Sequence, residues 1–170
     1  MSEAVRKLKL SVIPATAQDL AELHDDVAAF ERRHGLVVVD GYTEFPDALQ
    51  NAREMLEAGT VDAEWWTHLF IDENNRLIGL GGYAGNPNDA GVIEIGYGVA
   101  PKVRGQGYAT NSVKLLVSKA FSNPAVKEII AHTLAEEDPS TRVLEKNGFT
   151  KVEDLEDPQE GPIWRWSLKK

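Results

Sequence analysis

The residues that could bind a charged ligand are concentrated in the run Arg104-Gly105-Gln106-Gly107-Tyr108-Ala109. Gly105 and Gly107 allow the backbone to approach a ligand closely, and a helix is predicted from residue 107. The first N–H groups of a helix have no acceptor within it, and its dipole adds about half a positive charge at that end. The run therefore predicts an anion site, for which a pyrophosphate is the natural occupant.

Two well-known phosphate-binding patterns can be compared with this run. A P-loop needs Lys and then Ser or Thr after its last glycine, whereas Tyr108 and Ala109 follow Gly107. A dinucleotide fingerprint needs glycine at position 110, which is Thr110, and an acidic residue at the end of a later strand. Glu128 has roughly the right separation but lies near a strand start. The pattern thus excludes a P-loop and disfavours a nicotinamide cofactor.

The predicted strand before this run, residues 92–99, has two unlike faces. Glu94, Gly96 and Gly98 share one face, and larger apolar side chains occupy the other, so one face should be packed and the other nearly bare. An unpaired carboxylate in a central strand is costly. Glu94 should therefore have a partner. Its role is either that of a general base acting through water or that of a structural carboxylate bonded to a neighbouring element.

The surrounding pattern predicts the elements that position these groups, in the order β-α-α-β-β-β-α-β-α-β-β. The predicted strands are 8–13, 67–71, 76–83, 92–99, 126–132, 149–152 and 163–168. The predicted helices run from the capping box at 16–19 to Gly35, from Pro46 to Gly59, over 107–121, and from Asp138 to Asn147-Gly148. This order predicts an α+β or α/β sandwich around one central mixed sheet.

Composition narrows the functional class. The 170 residues, with no internal repeat or linker, predict a single domain over 1–170. Cysteine is absent, which excludes disulfides and thiolate chemistry and fits a reducing compartment. No segment resembles a signal peptide or a membrane span, so a cytoplasmic protein without membrane contact is expected. The formal net charge of −9 disfavours nucleic-acid binding and suits cationic molecules, although it is equally an ordinary solubility feature.

The run from Arg104 to Ala109 matches Q/R-x-x-G-x-G/A, the cofactor motif of the GNAT N-acetyltransferase superfamily. The runs 94–101 and 140–149 are similar to the branch that acetylates ribosomal-protein N-termini and to its small-amine relatives. The resemblance implies an acetyl-CoA co-substrate, no metal, and a mostly antiparallel sheet of about seven strands flanked by four helices. It also implies that the strand before the loop splays from the next one, leaving a wedge for pantetheine.

The resemblance assigns the cofactor-binding residues. Backbone groups of Tyr97, Gly98 and Val99 would bond pantetheine, and N–H groups from Gly105 to Thr110 would hold the pyrophosphate. The complete implied set is Tyr97, Gly98, Val99, Arg104, Gly105, Gln106, Gly107, Tyr108, Ala109 and Thr110. Most members of the branch have, three residues before Ser140, an Asn whose amide contacts the cofactor. This chain has the negatively charged Glu137 at that position instead.

The resemblance also suggests catalytic and acceptor residues. Glu94 would be the base. Many relatives protonate the leaving thiolate with a Tyr of the last helix, but no Tyr follows Tyr108 here, and Ser140 is the available hydroxyl where the branch commonly has Ser near the thiol. Ser140 is equally a plain helix-start residue. The loop 36–45 would border the acceptor, with Tyr42 and Glu44 as candidates. The acceptor would be a primary amine, either a small molecule or a peptide N-terminus, and a homodimer is common among relatives. The alternative function is a module that binds acyl-CoA without turnover. The four histidines have no metal-ligand spacing, so no metal site is expected.

Overall fold

The structure is a computed structural model and describes residues 9–170, so residues 1–8, including the start of the predicted first strand, lie outside the described residues. Its strands are β1 (Leu10–Pro14), β2 (Val37–Val38), β3 (Thr67–Asp72), β4 (Arg76–Tyr83), β5 (Val92–Val99), β6 (Glu128–Leu134), β7 (Thr150–Asp157) and β8 (Gly161–Lys169). Its helices are α1 (Ala17–Asp25), α2 (Val27–His34), α3 (Ala48–Glu57), α4 (Tyr108–Phe121) and α5 (Pro139–Lys146). No helix within 9–170 combines the length and the apolarity needed to cross a bilayer.

The strands form one mixed sheet in the order β1-β3-β4-β5-β6-β8-β7, and the short β2 pairs with the start of β4. Only the pairs β2–β4 and β5–β6 are parallel. The other neighbours, β1–β3, β3–β4, β4–β5, β6–β8 and β7–β8, are antiparallel. The predicted α+β fold with a mixed, mostly antiparallel sheet is confirmed.

The described chain has eight strands and five helices, one more of each than the sequence predicts. The predicted first helix is interrupted at Asp26, whose backbone (φ −155°, ψ 76°) is not helical. The Asp26 carboxylate accepts the N–H of Ala29 and so caps a second helix. The extra strand, β2, lies in the loop that was predicted between the first two helices, where two valines pair with the start of β4.

Helices cover the sheet unequally. On one face, α4 and α5 close a long apolar cluster that reaches from β3 to β8 and includes Phe70, Ile95, Leu116, Leu144 and Trp166. On the other face, α1 to α3 close a smaller cluster whose strand residues come from β2, β3 and β4 only. The described helices therefore leave this second face of β6 and β8 free of apolar cover, and the polar side chains His132 and Arg165 lie there beside Glu94 of β5.

β5 and β6 pair only at their starts. Three residue pairs join them, the last being Glu94 with Ile130. Beyond this point β5 stays paired with β4 as far as Val99, and β6 stays paired with β8 as far as Leu134. The expected splayed strand pair is confirmed, and it leaves a gap in the middle of the sheet.

His68 of β3 is fully buried and is bonded on both sides of its ring. Its Nδ1 lies 2.9 Å from the Trp66 carbonyl oxygen, and its Nε2 lies 2.8 Å from Lys119 Nζ on α4. Because the carbonyl only accepts and the ammonium only donates, Nδ1 carries the proton and Nε2 accepts. Burial lowers the pKa of His68 to about 4, against the opposing effect of the Trp66 carbonyl and with the help of the Lys119 charge.

Keeping His68 neutral makes stability depend on pH. The folded pKa lies below the ordinary histidine value of 6.5, so this stability is complete above pH 6.5 and is lost as the pH falls toward 4. Between pH 7 and pH 4 we expect His68 to account for a loss of about 3 kcal/mol in the free energy of unfolding. Urea unfolding of the native protein and of His68→Gln at both pH values measures this loss in the free energy of unfolding. An equal pH-dependent loss in the two proteins would contradict the assignment.

Candidate functional site

The loop before α4 presents unpaired N–H groups. Gly107, the N-cap of α4, has a left-handed φ of 89° and no side chain that could cap the helix. Gly105 is also left-handed, with φ 77°. The N–H groups from Gly105 to Thr110 donate to no acceptor in the described part of the chain. The loop therefore has the geometry of the predicted anion site.

Positive side chains surround a cavity of about 290 Å³ at this loop, between α4 and α5. Arg142 and Lys146 lie one turn apart on α5 and line the cavity, and neither makes an ion pair with another described residue. Arg104 also lines it, and its Nη2 lies 3.2 Å from Glu44 Oε1 in an exposed pair. Sequence reasoning missed Arg142 and Lys146, although their i, i+4 spacing on a predicted helix was an available signal.

A cavity of about 580 Å³ continues from the loop into the gap between β5 and β6. Its lining includes Tyr42, Glu44, Tyr97, Gly98, Val99, Arg104, Gly105 and Ser140. At Gly98 a Cβ atom would meet no other atom within 4 Å. The absence of a side chain at this position therefore leaves space that a ligand could fill.

The backbone groups of β5 that face the gap follow from its pairing with β4. The Ala84 N–H donates to the Glu94 oxygen, and the Ala100 N–H donates to the Ile78 oxygen. Since backbone groups alternate in direction along an antiparallel strand, those of Tyr97 and Val99 face the gap. Those of Gly98 face β4, so the implied pantetheine bond from Gly98 lacks a free backbone group, and Gly98 contributes space instead.

Tyr97 spans the gap. Its hydroxyl donates to the Ser140 carbonyl oxygen at 2.9 Å, which links β5 to the start of α5. Burial, together with the nearby Asp138 charge, raises the pKa of Tyr97 far above its ordinary value, and the bond to Ser140 only partly opposes this. The Ser140 hydroxyl itself has no hydrogen-bond partner among residues 9–170. Two hydroxyl groups, one protonated across the whole physiological range, therefore lie at the wall of the gap.

Glu94 ends a chain of polar contacts that crosses four strands. Its Oε2 lies 2.8 Å from His132 Nδ1, and His132 Nε2 lies 3.3 Å from Arg165 Nε. Arg165 Nη1 in turn donates to Glu153 Oε1 at 2.8 Å. Because Arg165 can only donate, His132 Nε2 must accept, and a neutral His132 therefore donates its Nδ1–H to Glu94. Glu94 thus has the expected partner, and its orientation is set by a ring whose tautomer is itself fixed.

Glu94 also lines a third cavity, of about 380 Å³, between β4, β5 and α3. Most of the wall is apolar and includes Phe45, Ala48, Leu49, Ala52, Trp66 and Leu80. Thr43, Phe45 and Leu80 line this cavity and the gap as well, so the two spaces are adjacent. A ligand in the gap and a second ligand beside Glu94 would therefore meet near the point where β5 and β6 separate.

Some of the predicted residues are placed away from these cavities. Gln106 is exposed and lines none of the three, and the Tyr108 side chain is buried in the core, which leaves only its N–H for a ligand. Glu137 accepts the Thr141 hydroxyl at 3.3 Å and lines none of the three cavities. Tyr42 and Glu44 border the gap rather than the cavity with Glu94. Within 9–170 no group of three or more His, Cys, Asp or Glu side chains could hold a metal ion.

Comparison with known proteins places this geometry in context. A family model described as an acetyltransferase (GNAT) domain matches residues 9–150. Over 145 residues the chain is 28% identical to the uncharacterized N-acetyltransferase YjdG of Bacillus subtilis (strain 168). The alignment covers 84% of this chain and 86% of that protein.

Two solved structures share the fold. The ribosomal-protein-S5-alanine acetyltransferase of Vibrio fischeri is 15% identical, with a TM-score of 0.69 over 96% of this chain and 97% of that one. An aminoglycoside acetyltransferase in complex with coenzyme A is 20% identical, with a TM-score of 0.65 over 95% of each chain. At this level of identity the likeness concerns the fold alone.

The contact with Arg165 predicts which nitrogen of neutral His132 is protonated. We expect Nδ1–H in nearly all molecules, because the Arg165 Nε–H occupies Nε2. Nitrogen NMR of the imidazole distinguishes the two tautomers. The double variant Glu94→Leu/Arg165→Leu removes both the acceptor at Nδ1 and the donor at Nε2 and should restore a mixture of both tautomers, whereas Lys169→Leu, on the same strand as Arg165 but without this contact, should change nothing. A proton on Nε2 in the native protein would contradict the relay.

Proposed function

The chain belongs to the GNAT acetyltransferase family and is an N-acetyltransferase, and we propose that it moves an acetyl group from acetyl-CoA to a primary amine by direct attack in a ternary complex. The observation that carries this proposal is the adjacency of three cavities along one path. The path runs from the unpaired N–H groups before α4, through the gap between β5 and β6, to Glu94. A donor and an acceptor could thus bind at once and meet in the middle.

The chain's own groups match the parts of coenzyme A in order. The N–H groups from Gly105 to Thr110 would hold the pyrophosphate, with Arg142 and Lys146 supplying positive charge. The unpaired backbone groups of Tyr97 and Val99 would bond the pantetheine arm within the gap. The fit is supported by the empty space at Gly98, which a Cβ would otherwise occupy.

The reaction requires a neutral amine, a stabilised oxyanion and a protonated leaving group. We propose that Glu94, oriented by His132, accepts the ammonium proton through water. The amine nitrogen then bonds to the acetyl carbon while a backbone N–H near Val99 stabilises the carbonyl oxygen. As the carbon–sulfur bond breaks, the Ser140 hydroxyl, whose lack of a described partner leaves it free to turn, gives its proton to the departing thiolate and takes up the second proton of the attacking nitrogen. Glu94 returns the first proton to solvent. The products are an amide and free coenzyme A.

The loop between α2 and α3 would complete the site. Tyr42 and Glu44 line the gap, and Glu44 pairs with Arg104 across it, so we propose that this loop covers the bound donor and borders the acceptor. We propose one catalytic domain over residues 1–170, supported by the single sheet that includes strands from Leu10 to Lys169. The absence of cysteine supports a cytoplasmic location.

Release of free thiol tests the function directly. The protein is incubated with acetyl-CoA and a panel of amines that includes 2-phenylethylamine, spermidine, an aminoglycoside and a peptide with N-terminal alanine, and the thiol is titrated. We expect thiol release and one new acetamide per thiol with at least one amine. Tight binding of coenzyme A without release for any amine would instead favour a module without turnover.

Gly98→Val serves as the matched loss-of-binding variant in this test. The Cβ of a valine at this position would occupy open space beside the gap, because no protein atom lies within 4 Å of it. We expect the affinity for coenzyme A to fall at least about tenfold while the fold is kept. Unchanged affinity would place the pantetheine arm elsewhere.

Glu94→Gln tests the base. The variant removes the proton acceptor but keeps a similar shape, so we expect kcat to fall about 100-fold while the affinity for coenzyme A is retained. The pH profile should also shift upward, since the amine must then lose its proton to solvent. Steady-state rates across pH measure both effects.

Glu128→Gln provides the control for Glu94→Gln. Glu128 lies on the same face of the neighbouring strand and bonds Ser167, and it lines none of the three cavities. The Glu128→Gln variant should retain native turnover. Native turnover and an unshifted profile in Glu94→Gln would remove Glu94 as the base.

A further inference from the structure

The cavity beside Glu94 has walls that favour an apolar ligand. Ala48, Leu49 and Ala52 of α3 line it together with Trp66 and Leu80. A compact apolar group that enters this space would exchange water for carbon contacts on several sides. The walls therefore select for the body of the acceptor and not only for its amine.

The same walls offer few unused polar groups. The Trp66 Nε1–H already donates to the Ala52 carbonyl oxygen at 3.1 Å, and the Tyr83 hydroxyl already donates to the Leu116 carbonyl oxygen at 2.6 Å. Among the described residues that line the cavity, Glu94 is the one carboxylate. One ammonium group can be paired there, whereas a second would lie against apolar walls at a high desolvation cost.

An exposed aromatic side chain lies where the acceptor would enter. Phe45 is 68% exposed, and it lines both this cavity and the gap. Contact with an apolar ligand would remove part of this side chain's surface from water, which is favourable. Phe45 is thus placed to pack on the body of an acceptor whose nitrogen reaches toward the gap.

The space next to the carboxylate is open. A Cβ atom at Gly96, between Glu94 and Gly98 on the same face of β5, would meet no atom within 4 Å. The cavity volume of about 380 Å³ is near the low end for small-molecule sites, so this cavity suits one compact group.

We infer that the acceptor is a primary amine that carries a single positive charge and one compact apolar group, such as an arylalkylamine, and that polyamines are poor acceptors. This inference rests on the proposed function, since it names the acceptor class of the same site. The amine would pair with Glu94, and the apolar group would lie against Trp66 and the α3 residues that line the cavity, next to Phe45. A peptide N-terminus with an apolar first residue presents the same chemistry.

The first experiment compares kcat/KM for 2-phenylethylamine, the dipeptide Phe-Ala and spermidine at saturating acetyl-CoA. We expect the better of the two apolar amines to exceed spermidine about 100-fold, because each group buried in an apolar pocket changes kcat/KM about tenfold or more. Preference for 2-phenylethylamine or for Phe-Ala would identify the source as a free amine or a peptide N-terminus, respectively. Equal or better turnover of spermidine would overturn the inference while leaving the acetyltransferase function intact.

A matched pair of variants on α3 tests the wall itself. Ala48 is exposed and lines the cavity, so Ala48→Leu should lower kcat/KM for the apolar amine at least about tenfold without changing the KM for acetyl-CoA. Gln50 is exposed on the same helix and lines none of the three cavities, so Gln50→Leu should behave as the native protein. Equal effects of the two variants would contradict the placement.

Calorimetric titration of the coenzyme A complex separates the two proposals if no amine is turned over. Binding of 2-phenylethylamine that is stronger than that of spermidine, and weakened by Ala48→Leu, would support the acceptor class even though the proposed reaction had failed. Absence of amine binding, or stronger binding of spermidine, would overturn the acceptor class.

Discussion

The separation of β5 from β6 after the Glu94–Ile130 pair is the feature on which the rest of the site depends. Within a sheet, the backbone groups of Tyr97 and Val99 would be bonded to the next strand, whereas here they face a gap. The gap persists because each strand keeps its other neighbour, and because Tyr97 is bonded across it to Ser140. Unpaired backbone groups in the centre of a sheet are costly, and a ligand that bonds them recovers that cost when it binds.

The two ends of this opening differ in charge. At one end, the N-terminus of α4 with Arg142 and Lys146 attracts phosphate groups. At the other end lies the Glu94 carboxylate, which favours an ammonium group. The formal net charge of −9 describes neither end, since local fields in the site are set by the few groups that face it. A donor and an acceptor of opposite charge would therefore be drawn to different ends of the same path.

Glycines illustrate how one residue type has opposite roles in neighbouring strands. On β4, a Cβ at Gly79 would lie 2.2 Å from the Gly98 carbonyl oxygen, so this glycine is required for close packing of the sheet. On β5, a Cβ at Gly96 or Gly98 would meet nothing, so these glycines leave space beside the candidate base. Glycine at position 79 permits the close approach of β4 and β5, and the open positions 96 and 98 leave room for ligands to approach β5.

Local patterns in the amino-acid sequence are sufficient for the elements around the site, the Gly-rich helix start and the family, because turns, caps and helix periodicity depend on residues that are near one another in the chain. They do not reveal that His132 and Arg165 orient Glu94, or that the Tyr108 side chain is buried while its N–H is free. Nor do they show that α3 and Trp66 form an apolar wall beside Glu94. These features depend on strand register and on packing between segments far apart in the chain, which only the folded chain determines.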